Sequence, residues 1–260
     1  MRTGFMTIFC MLCLPACSAM VDPKPMTCPA EDSVVIGQLD ADVTGDGVKD
    51  RIILMGRKQD RAGHYVVEMS VRLTDLDGQN ELCTRLPEKS GSGINPQLKA
   101  MDFTGDGTPD VLISSPTDGG IINCVIYSFI DGRPKLLFDT NRGVMPAVTG
   151  HFLSDYKAEI IVGGQSSTVD LADHRKYYDQ AGYYNNGKLL KSTEVITGGY
   201  GLITPVDVDH NGVYELEAIQ EARGISGADP IAEIISHIKW DKDGWQVMDV
   251  SVRKTVLDIE

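Results

Sequence analysis

The sequence predicts an all-β, β-propeller-like fold with about four blades of four antiparallel strands. Short runs rich in Val, Ile and Tyr recur from residue 33 onward, bounded by turns that contain Gly, Asp and Ser, which is typical of strands. An acidic loop recurs between pairs of these runs, with copies that start at Asp42, Asp102, His151 and Asp207. The copies are 60 (42 to 102), 49 (102 to 151) and 56 (151 to 207) residues apart. Repeats of this length are typical of propellers and solenoids.

The chain divides into a leader, a spacer and one domain. Residues 1–20 are the leader, and residues 21–32 are a Pro-rich, stiff spacer. Residues 33–260 form a single propeller-like domain, for which two packed antiparallel sheets are the alternative. The four repeats of this domain are 33–93, 94–143, 144–198 and 199–260.

Each repeat contains a similar series of predicted strands around its acidic loop. In the first repeat, residues 65–73 alternate apolar and polar side chains, as expected of a half-buried strand. Residues 173–184 of the third repeat differ from their counterparts and predict an aromatic loop or a short helix. The predicted strands are 33–39, 51–56, 65–73 and 81–86; 97–101, 111–115, 121–129 and 135–138; 148–152, 158–162 and 168–171; and 202–206, 214–219, 232–240 and 245–250.

The leader has the features of a bacterial export signal. Arg2 is followed by an apolar run, residues 5–14, that is too short to remain as a spanning helix. Leu14 to Cys17 resembles a lipobox, with Cys17 as the acylated residue, although Pro15 departs from the usual small residue. The alternative is ordinary cleavage near Ala19. Either reading places the mature protein outside the cytoplasm, lipid-anchored to a bacterial membrane or secreted.

The acidic loops have the side chains of a calcium site. Oxygen-bearing residues occupy loop positions 1, 3, 5 and 9, glycine occupies position 6, and the backbone carbonyl at position 7 is a further ligand. An apolar run follows in place of the acid at position 12 of a helical calcium hand, which predicts a loop between strands. One copy alone would be read as an ordinary acidic turn, but three copies favour about three Ca²⁺ sites. The predicted ligands are Asp42, Thr44, Asp46, Val48 and Asp50; Asp102, Thr104, Asp106, Thr108 and Asp110; and Asp207, Asp209, Asn211, Val213 and Glu215.

The third copy of the loop is degenerate. Its ligand positions hold His151, Leu153, Asp155, Lys157 and Glu159, and Tyr156 replaces the glycine. Because leucine and lysine stand where oxygen ligands are needed, the sequence predicts no metal in this repeat.

The pattern D-x-T-G-D-G-x-x-D before an apolar strand resembles the FG-GAP or VCBS repeat, the blade unit of integrin-α-type propellers. The arrangement is also similar to small secreted VCBS-repeat proteins of spore-forming bacteria, some of which are described as spore coat proteins. This resemblance implies a non-enzymatic, calcium-binding module of the cell envelope or spore surface, with a protein or glycan partner at the cell surface. At 260 residues the chain is too short for the usual seven blades.

Other features of the sequence limit the possible functions. The net charge of −13 argues against nucleic acid or an anionic membrane surface as the main partner. No zinc spacing, nucleophile elbow or phosphate-binding glycine loop is present, so no catalytic or other cofactor-binding residue is predicted. The alternative function is an extracellular polysaccharide-degrading hydrolase or lyase, whose carboxylates would lie among the many acids.

Tyrosines and cysteines complete the sequence-based predictions. Four tyrosines of the third repeat form either a contact surface for glycan or protein, or a cover over an exposed edge: Tyr177, Tyr178, Tyr183 and Tyr184. Beyond the leader, Cys28, Cys83 and Cys124 allow at most one disulfide and leave one free thiol. Cys28–Cys83 is a possible pair that would fasten the spacer to the first repeat.

Overall fold

The computed structural model describes residues 28–59, 62–76, 78, 81–242 and 244–255. It confirms the all-β prediction, since the chain forms several antiparallel sheets, none of which closes into a barrel. The helix α1 (Arg175–Gln180) interrupts the series of strands within the third repeat. No helix in the described part of the chain is long and apolar enough to span a membrane.

Sheets 1 and 2 are antiparallel meanders from the first half of the chain. In sheet 1, β5 (Gly93–Ile94) pairs with β3 beside β4. The other strands of sheet 1 are, in order, β1 (Val34–Ala41), β2 (Asp50–Lys58), β3 (Tyr65–Asp75) and β4 (Glu81–Arg85). The strands of sheet 2 are, in order, β6 (Gln97–Met101), β7 (Asp110–Pro116), β8 (Ile122–Ser128) and β9 (Lys135–Asp139).

Sheets 3 and 4 come from the second half of the chain. Sheet 3 has three strands, after which α1 and a small hairpin of β13 (Tyr184–Asn185) and β14 (Lys188–Leu189) follow. The strands of sheet 3 are, in order, β10 (Val148–Leu153), β11 (Lys157–Val162) and β12 (Gln165–Asp170). The strands of sheet 4 are β15 (Ile196–Val206), β16 (Glu215–Arg223), β17 (Pro230–Asp241) and β18 (Gly244–Lys254).

The β8 strand shows how one sheet serves two cores. Successive side chains of a strand point to opposite faces. Val125 and Tyr127 therefore pack in the core shared with sheet 1, and Cys124 and Ile126 pack in the core shared with sheet 4. Every residue of β8 is buried, as expected for a strand covered on both faces.

One face of sheet 4 packs against both sheet 2 and sheet 3. Leu216 and Ala218 pack against sheet 2, while Ala222, on the same side of β16, packs against sheet 3. The cores therefore connect the sheets in the order 1–2–4–3, and among the described residues no core cluster joins sheet 2 to sheet 3. A propeller, in which each blade packs against the next blade of the chain, is not shown.

The cysteine and tyrosine predictions have clear outcomes. Cys28 and Cys83 form a disulfide that fastens the segment before β1 to β4, and Cys124 is free and buried. Tyr178 and Tyr184 are buried in the core of sheet 3, which confirms the covering role for these two rings. Tyr177 is 45% exposed, so the four tyrosines do not form one contact surface.

Candidate functional site: a row of acidic loops

The three complete acidic loops are loop 1 (residues 42–50), loop 2 (residues 102–110) and loop 4 (residues 207–215). They connect the first and second strands of sheets 1, 2 and 4, respectively. Loop 1 closes a hairpin in which Ala41 pairs with Asp50, and loop 2 closes one in which Met101 pairs with Asp110. Loop 4 follows the pair of Val206 and Glu215. In each loop, the acid at position 9 is thus the first residue of the second strand.

Loop 1 folds around its first aspartate. Asp42 accepts hydrogen bonds from the N–H groups of Gly45 and Gly47, both at 2.8 Å. Asp46 accepts one from the N–H of Val48 at 2.8 Å. Gly45 and Gly47 have φ angles of 79° and 85°, so the sequence D-x-T-G-D-G places glycine where the turn requires left-handed backbone.

Loop 2 repeats this hydrogen-bond pattern, while loop 4 keeps the bonds from positions 6 and 7 and has a bond from position 5 in place of the one from position 4. Asp102 accepts from Gly105 and Gly107 at 2.7 and 2.9 Å, and the N–H of Thr108 donates to Asp106 at 2.8 Å. In loop 4, the N–H groups of Asn211 and Gly212 donate to Asp207, both at 3.1 Å, and that of Val213 donates to Asn211 at 2.7 Å. The sequence similarity of the loops therefore reflects the same local conformation.

The acid at position 9 holds the beginning of each loop. Asp50 accepts hydrogen bonds from the N–H of Val43 at 3.0 Å, from the N–H of Thr44 at 3.2 Å and from the Thr44 hydroxyl at 3.1 Å. The equivalent bonds run from Phe103 to Asp110 at 3.1 Å and from Val208 to Glu215 at 3.3 Å.

Loop 2 has the electrostatic character of a cation site. Asp110 is only 1% exposed. Burial raises its pKa to about 7, and the charges of Asp106 and Asp102 act in the same direction, while the hydrogen bond from Phe103 opposes them. The buried Oγ1 of Thr104, at ligand position 3, has no hydrogen-bond partner. A cation would compensate the carboxylates and give this oxygen a partner, so the residues of loop 2 fit the predicted ion.

Carboxylates alone do not complete any of these sites. Within the described ranges, no three His, Cys, Asp or Glu side chains are close enough together to hold a metal ion. This agrees with the hydrogen bonds above, which turn the first acid of each loop toward backbone N–H groups. A hard cation would therefore depend also on hydroxyl, amide and backbone carbonyl oxygens, as calcium sites commonly do.

Loop 4 differs from the others in its charge. Position 5 holds Asn211 in place of aspartate, and Lys239 Nζ lies 3.0 Å from Oε1 of Glu215. The hydrogen bond to Glu215 raises the pKa of Lys239. Because a protein cation already pairs with the acid at position 9, loop 4 fits an added cation less well than loop 2.

The degenerate third copy has no loop. Asp155 and Tyr156, with φ angles of 61° and 54°, turn the chain directly from β10 into β11. His151 and Glu159 are paired across these two strands, with Nε2 and Oε2 3.6 Å apart. The five residues aligned with ligand positions therefore lie in a tight hairpin.

The three loops lie side by side in the order 1–2–4. A β-carbon placed on Gly105, at position 4 of loop 2, would lie 3.5 Å from the side chain of Val213 in loop 4. The N–H of Tyr214 also donates to the carbonyl of Asp102 at 2.7 Å. Between loops 1 and 2 the glycine contact recurs, since a β-carbon on Gly45 would lie 3.1 Å from the Thr108 side chain. Position 4 of loop 4 is the exposed His210, whose φ of 58° is left-handed like that of the glycines at this position in loops 1 and 2.

A buried polar cluster between α1 and sheet 4 was not predicted. Asp229 accepts from His174 Nδ1, from the Tyr178 hydroxyl and from the N–H of Ile225, each at 2.9 Å. Burial would raise the pKa of Asp229, but these hydrogen bonds outweigh it and lower the pKa. The cluster fastens the α1 segment to the loop before β17. Its members are too far apart in sequence to form a motif.

Comparison with known proteins gives a family match for the second half of the chain. Residues 146–253 match the YybI C-terminal domain. This range contains sheets 3 and 4 with their shared core. The chain is also similar to the uncharacterized protein YybI of Bacillus subtilis (strain 168), with 28% identity over 220 residues that cover 82% of each chain. No solved structure matches the chain.

The family match corrects the resemblance to FG-GAP and VCBS repeats, which was wrong. The matching model describes a YybI domain, and no FG-GAP or VCBS family is indicated. The descriptions integrin-α-like and spore-coat-like depended on this resemblance and are therefore wrong as well. The physical reason is that the nine-residue pattern describes a hairpin loop and carries no information on how sheets pack. The match also lends no support to calcium binding, a lipoprotein anchor or a signal peptide, which rest on the residues alone.

Proposed function

We propose that the protein is a non-enzymatic, calcium-binding protein of the bacterial cell envelope that acts outside the cytoplasm as a binding or structural module. The observation that carries this proposal is the row of three loops, in each of which the first aspartate accepts the N–H of the glycine at position 6, and which together bring nine carboxylates to one side of the molecule. Without cations, these carboxylates repel one another.

Calcium is the cation that the ligand set favours. It takes oxygen ligands in variable number and flexible geometry, whereas Mg²⁺ demands a near-ideal octahedron. In loop 2, the ligands would be Asp102, Thr104, Asp106, Asp110 and the carbonyl of Thr108, and the other loops would use the equivalent residues. The ion would neutralise the acids and fix the register of the two strands that each loop joins. Occupancy at a hundredfold excess over the dissociation constant would stabilise the folded state by about 2.7 kcal/mol per site.

The proposed location outside the cytoplasm has support from the cysteines. The Cys28–Cys83 disulfide is typical of oxidising compartments, where such bonds persist. The leader and the acylation site Cys17, which would distinguish an anchored from a secreted protein, lie outside the described residues. Anchoring at Cys17 therefore stays a prediction of the sequence.

The finer architecture is also a proposal. The cores that join the sheets in the order 1–2–4–3 support packed antiparallel sheets, the alternative to a four-bladed propeller. In this arrangement the loops of sheets 1, 2 and 4 become neighbours because these three sheets are consecutive in space.

Direct measurement of calcium binding tests the proposed function. Isothermal titration of the metal-free protein with CaCl₂ should show saturable binding that MgCl₂ does not reproduce at the same concentration. Asp106→Asn should remove one site, whereas Asp118→Asn, which makes the same change in an exposed turn, should leave binding unchanged. Identical isotherms for calcium and magnesium, or no heat above dilution, would contradict the proposal. Release of reducing ends from a polysaccharide would instead support the hydrolase alternative.

A further inference from the structure

A groove runs between the edge of sheet 2 and the β17–β18 hairpin of sheet 4. It consists of two adjoining cavities of about 450 and 350 Å³. Both cavities are lined by Lys135, Leu137 and Trp240, so they form one continuous depression, here called the Trp240 groove. Thr104 and Asp106 of loop 2 lie at one end of this groove, and none of its basic or aromatic residues was selected from the sequence as part of a site.

The groove gathers positive charge on an acidic protein. Arg133, Lys135 and Lys242 are exposed along one cavity, and within the described side chains none of them forms an ion pair. Arg142 lines the other cavity and lies 3.7 Å from the buried Asp139. The chain as a whole has 37 acidic and 24 basic side chains, so such a concentration of cations is a feature of this groove in particular. Clustered cations of this kind attract anions.

Among the described side chains, two acids line the groove, and they offset only part of its charge. Asp106 belongs to loop 2, where its carboxylate accepts the N–H of Thr108. Asp139 is 3% exposed and accepts hydrogen bonds from Ser90 and from the N–H of Asn141. Three exposed cations, Arg133, Lys135 and Lys242, thus outnumber the one exposed acid, Asp106, and the net exposed charge on the described walls is positive.

The ring of Trp240 lines both cavities of the groove, and Trp245 packs against it. Trp245 packs edge-on against Trp240, with ring centroids 5.7 Å apart. Its indole N–H donates to the carbonyl of Leu137 at 2.9 Å, which joins sheet 4 to sheet 2 under the groove. Lys135 Nζ lies 6.0 Å from the Trp240 ring centroid. Trp240 thus presents a preorganised, half-buried ring next to cations.

We propose that the Trp240 groove binds an acidic polysaccharide, that is, a polymer of carboxylate-bearing sugar rings. Arg133, Lys135 and Lys242 pair with the carboxylates, and Trp240 stacks on the apolar face of a sugar ring. An aromatic ring with cations in the same groove matches a polymer in which each sugar ring has an apolar face and carries a carboxylate. An acidic peptide offers the charges but no such rings. This proposal names a partner for the proposed surface role, and the residues that it assigns to the polysaccharide are not predicted calcium ligands.

Titration with polygalacturonate, with a neutral glucan of similar length and with poly-glutamate tests this proposal. Polygalacturonate should bind, and each of the other two polymers should bind at least about tenfold more weakly. Arg133→Ala with Lys135→Ala should weaken polygalacturonate binding by about tenfold or more, since each lost contact is charge-assisted. Lys188→Ala, an exposed lysine of β14 outside the groove, serves as the matched control and should have no effect. Trp240→Ala should weaken binding while Trp240→Phe retains most of it.

The outcomes separate this inference from the proposed function. Equal binding of the neutral glucan, equal binding of poly-glutamate, or an equal loss with Lys188→Ala would overturn the groove assignment. The titrations are run in both calcium and chelator. Binding that persists in chelator and is weakened by the Arg133 and Lys135 changes supports the groove even if the loops bind no calcium. Calcium binding without any polysaccharide binding overturns the groove alone. Melting curves of each variant identify a loss that is due to unfolding.

Discussion

Gly45 of loop 1 faces Thr108 of loop 2 so closely that a β-carbon on Gly45 would lie 3.1 Å from the Thr108 hydroxyl oxygen. This contact joins position 4 of one loop to position 7 of the next. Gly105 and Val213 join loop 2 to loop 4 at the same two positions, but there a β-carbon would lie at an ordinary contact distance of 3.5 Å. The glycine at position 4 therefore serves the packing of neighbouring loops as well as the turn itself.

Replacement of Gly45 by alanine should destabilise the protein more than the same change at a solvent-exposed turn. Gly45→Ala should lower the free energy of unfolding by about 1–2 kcal/mol through its left-handed backbone, plus a further cost from the contact with Thr108. Gly78, with a φ of 74° and no atom near its β-carbon position, provides the matched control. Adding Thr108→Ala to Gly45→Ala should recover the part of the lost unfolding free energy that comes from the contact between the two side chains. Equal costs for Gly45→Ala and Gly78→Ala in urea unfolding would show that the loops do not press on each other.

Loop 4 should gain calcium affinity when its protein cation is removed. Lys239→Met frees Glu215 from an ion pair at 3.0 Å, and Asn211→Asp adds a carboxylate at position 5. Both changes should raise the affinity of the weakest site in a calcium titration, by roughly tenfold for a gain of about 1.4 kcal/mol. Lys188→Met removes an equal charge from an exposed residue of β14, outside the loops, and should leave the isotherm unchanged. An unaltered isotherm for both loop 4 variants would argue against an ion at this loop.

The buried cluster at Asp229 should make stability depend on acid. Because its pKa is lowered in the folded state, Asp229 stabilises the fold above its unfolded pKa of about 4, and this stabilisation is lost as pH falls through the folded value. Asp229→Asn should reduce the free energy of unfolding by about 1.5–3 kcal/mol at pH 7, and by less at pH 3. The exposed neighbour Asp173, changed to Asn, should have little effect. Urea unfolding at both pH values measures this, and a cost for Asp229→Asn that is equal at pH 7 and pH 3 would contradict it.

The disulfide should contribute substantially to stability. Cys28 and Cys83 are 55 residues apart, and closing a loop of this size restricts the unfolded chain. Replacement of both by serine should lower the free energy of unfolding by about 2–4 kcal/mol. In the native, unreduced protein, an alkylating reagent should modify none of Cys28, Cys83 and Cys124 before unfolding, since the third is buried. Rapid labelling of all three in the folded protein would exclude the bridge.

Local features were predictable from the sequence because short-range physics determines them. The alternation at 65–73 became β3, and the three acidic loops fold alike because the same residues make the same hydrogen bonds at the same spacing. The degenerate copy was recognised as different because Tyr156 replaces glycine, and it is indeed a tight turn.

The packing between the sheets was not predictable from the sequence. The apolar stretch of β8 indicates that both faces of this strand are buried, but it does not indicate which sheets cover them. The residues of β8 do not indicate that Cys124 and Ile126 pack against sheet 4 and not against sheet 3. The Asp229 cluster escaped notice for the same reason, because His174 lies 55 residues away. Comparison of the loops with a propeller family failed at this level too, since a loop pattern does not determine the packing of blades.

Thermal unfolding in calcium and in chelator tests the central claim most directly. At fixed ionic strength, the melting temperature should rise with millimolar calcium and fall when a chelator is added, because an ion that binds only the folded state stabilises it. Asp46→Ala and Asp106→Ala should each remove part of the rise, and the double variant should remove most of it. A melting temperature that is indifferent to both calcium and chelator would contradict the account and show that the three loops are ordinary acidic turns.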